Sequence, residues 1–144
     1  MLTTEDIKKI LKKKKNFGGV FPSDSLPVSF EKPKSFIINL DPRYKEGSHW
    51  VAVKFDKYGK GYYFNSFGGP PEGSILSFIE KHSPNGYTFT PDKYQGNLST
   101  SCGYFCIFFI VLGIKKFIKL FTRCKYEKNE IRLLKLLKKI LIVN

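Results

Sequence analysis

At 144 residues, 42% of them hydrophobic and 26% charged, the chain has the length of one domain, residues 1–144, and enough apolar matter to bury a core. That excludes a disordered chain and a mini-protein that needs covalent staples. Three cysteines with no Cys-x-x-Cys exclude a disulfide framework and point to a reducing compartment, while a formal charge of +13 excludes indifference to polyanions unless composition alone explains it.

The N-terminus predicts a helix. Thr3 or Thr4 caps it, Glu5 and Asp6 fill its first turn, and Lys12–Lys15 lie at its end, an order that suits the helix dipole. The acids come early and no apolar run follows a basic stretch, so this is no secretory signal. Phe17–Pro27 reads as a loop, broken by Gly18, Gly19, Pro22 and Pro27. Three strands follow: Ser35–Leu40, His49–Phe55 and Lys60–Asn65. Asp56-Lys57-Tyr58-Gly59 joins the last two as a hairpin. His49 then opens one strand and Asn65 closes its neighbour, which sets the two opposite each other. Glu72–His82 predicts a helix with Ile75, Phe78 and Ile79 on one face, and Tyr87–Thr90 a short strand. Cys102–Gly113 predicts a helix buried on most sides. Its surrounding apolar run is too short to span a bilayer. Lys115–Thr122 and Asn129–Val143 form a basic amphipathic tail with Leu133, Leu134, Leu136, Leu137, Ile140 and Leu141 as its apolar positions. Helices and strands in this order make an α+β fold.

A thiol, an imidazole, an orienting side chain and an amide donor are the parts of thiol-based acyl transfer. Cys102 stands at a helix N-terminus, where the dipole and free N–H groups favour a thiolate. The bland reading is a buried structural cysteine. Gly103 beside it lets a substrate backbone approach. His49 is the histidine at a strand edge with a partner in reach. Asn65 is placed to accept the imidazole Nδ1–H through its amide oxygen; its bland reading is a turn residue. Gln95, seven residues before Cys102, is placed to donate to an oxyanion, with the Cys102 N–H as second donor, or else is a plain loop residue. Trp50 reads as core, or as the roof of a cleft. His82 reads as a surface or capping histidine, and Cys106 and Cys124 as packing residues. With two histidines in the chain, the Cys102/Cys106 spacing does not make a zinc site.

The segments GSHWVAV, YYFNSFGGPP and QGNLSTSCGYFC resemble the adenovirus endopeptidase (adenain) group of cysteine proteases, and more loosely the ubiquitin-like-protein proteases. GVFPSDSLP and FIINLDP extend the likeness toward the adenain-like proteases of virophages and Polinton/Maverick elements, over roughly Gly19 to Val111. The resemblance implies a papain-like architecture of adenain type, a central mixed sheet with the nucleophile at the N-terminus of a buried helix. It implies Cys102 as nucleophile, His49 as general base and acid, Gln95 in the oxyanion hole and Asn65 as third member, where the family usually carries Asp or Glu. The implied activity is that of a cysteine endopeptidase cutting near small residues such as Gly, on capsid precursors of a virus or virus-like element. A ubiquitin-like-modifier peptidase and a non-enzymatic basic nucleic-acid-binding module are the alternatives.

No cofactor is implied. The +13 charge admits DNA as an activating polyanion, bound without sequence preference because only three arginines, the base-reading residue, are present. A lysine-rich composition from an AT-rich genome accounts for the charge equally well. A monomer in the virion or the host cytoplasm or nucleus, neither secreted nor membrane-bound, is the expectation.

Overall fold

The structure, a computed structural model, describes residues 1–41 and 49–143, with side chains through residue 139. Pro42, Gly47 and Ser48, parts of two motifs above, lie outside the described residues, as do the side chains of Ile140 and Leu141. The element order is α1 (Thr4–Leu11), β1 (Phe17–Pro22), β2 (Lys34–Asn39), β3 (Trp50–Phe55), β4 (Gly61–Phe64), α2 (Gly73–His82), β5 (Tyr87–Phe89), α3 (Cys102–Leu112), α4 (Ile114–Leu120) and α5 (Tyr126–Val143). The strands form one sheet in the order β1-β2-β3-β4-β5. Its two outer pairings, β1 with β2 and β4 with β5, are parallel; the inner two are antiparallel. The fold is α+β, as the order of elements predicts, with the central mixed sheet that the resemblance implies.

Alternation along the strands feeds two cores. Ile37, Trp50, Ala52 and Phe64 face α3, joined by Ile7 and Leu11 of α1, Phe117 of α4 and Leu133 of α5. Their sequence neighbours Phe36, Ile38, Val51, Val53, Phe55 and Tyr63 face α2, meeting Ile75, Phe78 and Ile79. Strand β3 is therefore covered on both faces, which is why WVAVKF reads as nearly continuous apolar sequence. Phe105 through Ile110 of α3 are all buried, so this helix carries no one-sided stripe. Each large side chain so buried contributes roughly 1.5–3 kcal/mol. Among the described residues no helix is long and apolar enough to cross a membrane.

Thr3 caps α1: its hydroxyl accepts from the Asp6 N–H and the Asp6 carboxylate accepts from the Thr3 N–H, a reciprocal capping box. The predicted loop from Phe17 is instead an edge strand through Pro22. Its pairing with β2 skips Gly18, between Phe17↔Ser35 and Gly19↔Phe36. A Cβ at Gly18 would fall 2.3 Å from the Phe36 ring. The glycines thus mark a bulge against a core ring, where the sequence reading took them for a break. In the tail helix Leu133 is buried, but Leu134 is exposed.

Candidate active site

The antiparallel ladder of β3 and β4 ends at Ala52↔Phe64. Continued by one step, that register sets Asn65 against Val51. His49 is thus two residues away from the directly opposite position, and the pair meets on a diagonal. They do meet: His49 Nε2 lies 2.8 Å from Asn65 Oδ1. The same oxygen accepts the Phe67 N–H at 2.9 Å. An atom that receives a backbone donor is the amide oxygen, so Nε2 must carry its hydrogen and donate. The expected Nδ1 contact is therefore corrected to Nε2, and Nδ1 keeps its lone pair. The Phe67 ring stacks on the imidazole, 4.7 Å between centroids and 21° between planes. The turn is closed by the Gly68 N–H donating to the Asn65 carbonyl at 2.7 Å. The Asn65 amide also reaches the Tyr63 hydroxyl, whose ionisation burial pushes up to about 12.

His49 is only 8% exposed. Burial holds its imidazole below the ordinary 6.5, and the bond to Asn65 only partly opposes this. The ring is therefore neutral at pH 7, with an unprotonated Nδ1: the state a general base needs.

Cys102 is the first residue of α3 and 1% exposed. Burial pushes its thiol upward. The backbone N–H groups of Trp50, Gly103 and Cys102 itself pull the other way without overcoming it. The helix N-terminus thus does contribute donors, as predicted, but burial outweighs them, and the resting group is a thiol. The Trp50 donor matters for geometry, since that N–H belongs to the peptide bond following His49. One turn on, the Cys106 thiol donates to the Trp50 carbonyl at 3.3 Å. The backbone around His49–Trp50 is thereby held against the first turn of α3.

Gln95 is buried, 1% exposed. Its amide oxygen accepts the Ser66 hydroxyl, and its Nε2 donates to the Ser99 carbonyl at 2.8 Å. It ties the residue after Asn65 to the loop that leads into Cys102. That loop is also held from α5. Glu130 accepts the hydroxyls of Ser99 and Ser101, the latter at 2.9 Å. Buried Asn129 donates to the carbonyls of Tyr94 and Thr122, at 2.9 and 2.7 Å, and accepts the Thr122 N–H at 2.8 Å.

Other expectations are corrected. Gly103 does not face an open cleft: a Cβ there would meet Leu2 at 3.1 Å and Trp50 at 3.3 Å, so its smallness serves internal packing. Trp50 is core, as its first reading has it and not the roof of a cleft, its indole N–H donating to the Leu2 carbonyl at 3.1 Å. His82 is not a surface histidine. Its ring packs among Phe30, Phe55 and Phe78. Cys106 is fully buried as expected, whereas Cys124 is exposed, in a turn at φ 58°. Phe67, Ser66, Asn129 and Glu130 escape the sequence reading. The only available signal is that Ser66 and Phe67 follow Asn65 directly.

No protein family model and no curated protein matches the chain. Among solved structures, one of the ASFV pS273R protease is similar over 92% of this chain and 66% of its own, with 21% identity and a TM-score of 0.62. A selenomethionine form of that protease is similar over 69% of this chain and 43% of its own, with 27% identity and a TM-score of 0.49. The central domain of an uncharacterized Legionella pneumophila protein is similar over 98% of both chains, with 14% identity and a TM-score of 0.53. The chain thus spans less than two thirds of the length of the ASFV protease chains it matches. At these identities the likeness is one of fold: the chain shares the α+β fold, with its central mixed sheet, of the ASFV pS273R protease.

Proposed function

We propose that the chain is a cysteine endopeptidase in which Cys102 is the nucleophile, His49 the base and acid, Asn65 the orienting residue and Gln95 an oxyanion donor. The observation that carries this reading is the bond from His49 Nε2 to the Asn65 oxygen, because it leaves Nδ1 as the basic nitrogen, while the N–H of the next residue, Trp50, meets the Cys102 thiol. Nδ1 takes the proton of the Cys102 thiol as sulfur attacks the scissile carbonyl. The tetrahedral oxyanion is met by the Cys102 N–H and by the Gln95 amide hydrogen not engaged by Ser99. The imidazolium returns its proton to the leaving amine, leaving a thioester. His49 then deprotonates the water that hydrolyses it.

The resemblance to adenain, and within it to the virophage and Polinton type, supports a capsid-precursor substrate cut near Gly. DNA is proposed as a polyanion partner on the strength of lysine-lined grooves described below.

The test is cleavage of a peptide carrying Gly-Gly by the purified protein. Wild-type turnover is expected, lost in Cys102→Ala and kept in Cys124→Ala, since Cys124 is exposed and outside the site. Turnover surviving in Cys102→Ala overturns the assignment. Cleavage of a ubiquitin-like conjugate in place of the peptide would move the substrate class. Slow alkylation of Cys102 with no turnover on either would leave the binding-module reading.

A further inference from the structure

The residue before Cys102 has every polar group engaged. The Ser101 carbonyl accepts the Phe105 N–H at 3.1 Å, the first bond of α3. The Ser101 N–H donates to the Ser99 hydroxyl at 3.1 Å. The Ser101 hydroxyl does not cap the helix that it precedes. It donates instead to Glu130 Oε2, while the Ser99 hydroxyl donates to Glu130 Oε1. One carboxylate on α5, about thirty residues further along the chain, thus clamps both hydroxyls of the segment that delivers Cys102. The Ser99 carbonyl is meanwhile held by Gln95. Two hydroxyl donors converging on one carboxylate are charge-assisted bonds, roughly twice as strong as neutral ones.

We propose that Glu130 is a positioning residue for the thiol: its carboxylate fixes Ser99 and Ser101, and through them the start of α3 and the placement of Cys102 relative to His49. The proposal rests on the reading of Cys102 as nucleophile. Glu130 does not touch the reacting atoms. Its contribution is to hold the approach geometry, where a displacement of about 1 Å is enough to cost on the order of a hundredfold in rate.

The experiment compares Glu130→Ala, Glu130→Gln, the double variant Ser99→Ala/Ser101→Ala and the triple combination in the full chain. Peptide kcat and KM, the rate of Cys102 alkylation and the melting temperature are measured for each. Glu130→Ala is expected to lose roughly ten- to a hundredfold in kcat, with KM within about twofold of wild type. Glu130→Gln should recover part of the loss, because its amide oxygen still accepts one hydroxyl. The triple variant should be no slower than Glu130→Ala, since the carboxylate acts through those two hydroxyls and the losses are not additive. A folded Glu130→Ala with wild-type kcat, or losses that add, overturns the proposal. If Glu130→Ala does not fold, Glu130→Gln decides: wild-type kcat there overturns it equally. A wild-type protein with no turnover and a slow-reacting Cys102 would sink the underlying reading as well. An active wild type indifferent to Glu130 sinks this proposal alone.

Discussion

At His49 the choice of ring nitrogen decides what the imidazole can do. Two donors, the Phe67 N–H and Nε2–H, converge on one Asn65 oxygen, which fixes the tautomer and frees Nδ1. An amide orients the ring but brings no charge, and burial keeps the ring neutral. Asn65→Asp would place a carboxylate where that amide is, with the Phe67 N–H still donating to one oxygen and the Tyr63 hydroxyl, which now receives the Asn65 amide N–H, free to donate to the other. A carboxylate favours the imidazolium and raises the His49 pKa, typically by one unit or more. Below its pKa the base is protonated and inactive, so the acid limb of kcat/KM should move to higher pH by about one unit. A pH–rate profile of the variant measures this, and a limb that stays in place would show that Asn65 does not set the ionisation of His49. The sequence made this pair legible through strand alternation, which assigns faces. It does not say which diagonal neighbour a ring will reach, so the nitrogen came out wrong. Phe67 was invisible because a ring inside a turn has no periodic signature.

Among the elements, α5 differs most from its sequence reading. Its leucines mark an amphipathic tail, and Leu133 does enter the core. The polar residues at its start bear directly on the site. Asn129 is 2% exposed and spans the chain from Thr122 to Tyr94 with three hydrogen bonds. Tyr94 precedes Gln95, so the contact holds the start of the loop whose end Glu130 clamps. Asn129→Ala would strand the Tyr94 carbonyl and free the Thr122 N–H, while the Thr122 carbonyl keeps the Lys125 N–H, and should cost roughly 1–3 kcal/mol. The check is a shift of the urea midpoint at unchanged m. A loss below about 0.5 kcal/mol, the usual surface value, would mean that water replaces all three bonds. Nothing in the local sequence announces such a contact, because its partners lie 7 and 35 residues away. Strand β1 failed for the opposite reason. Its local signal was strong, two glycines and a proline, but Gly18 answers to Phe36 on β2 and Gly19 to the bulge beside it. Helix α2 was readable because its burial follows a period of the chain itself, and α3 and strands β2 to β4 because their apolar runs have the right lengths and are bounded by turn residues.

For the molecule as a whole the open quantity is the +13 charge. The sequence offers Lys12–Lys15 as one run at a helix end. Folding adds to it: Lys14 and Lys15 line a groove of about 330 Å³ together with Lys34 of β2, Lys54 of β3 and Lys57 of the hairpin. Three strand- and turn-borne lysines thus share one face with Lys14 and Lys15, and Asp56 is the acid among them. A second groove is lined by Lys128, Arg132, Lys135, Lys138 and Lys139 of α5. Charge gathered in grooves is what a phosphate backbone would engage, and the affinity then comes from releasing counterions. For five such contacts log Kobs against log salt should have a slope of about −4.5 on duplex DNA. Affinity should be indifferent to sequence, since lysines on phosphates read no base edges. Reversing Lys14, Lys15 and Lys57 to Glu should weaken binding and flatten that slope by about 3. It should leave peptide cleavage without DNA unchanged, because none of the three is among the residues assigned to the site. Fluorescence anisotropy with a labelled duplex across a salt series measures all of this. Binding that is absent, or flat from low to moderate salt, would show that the lysines record composition alone. Binding that keeps its slope in the reversed variant would move the partner to the α5 groove.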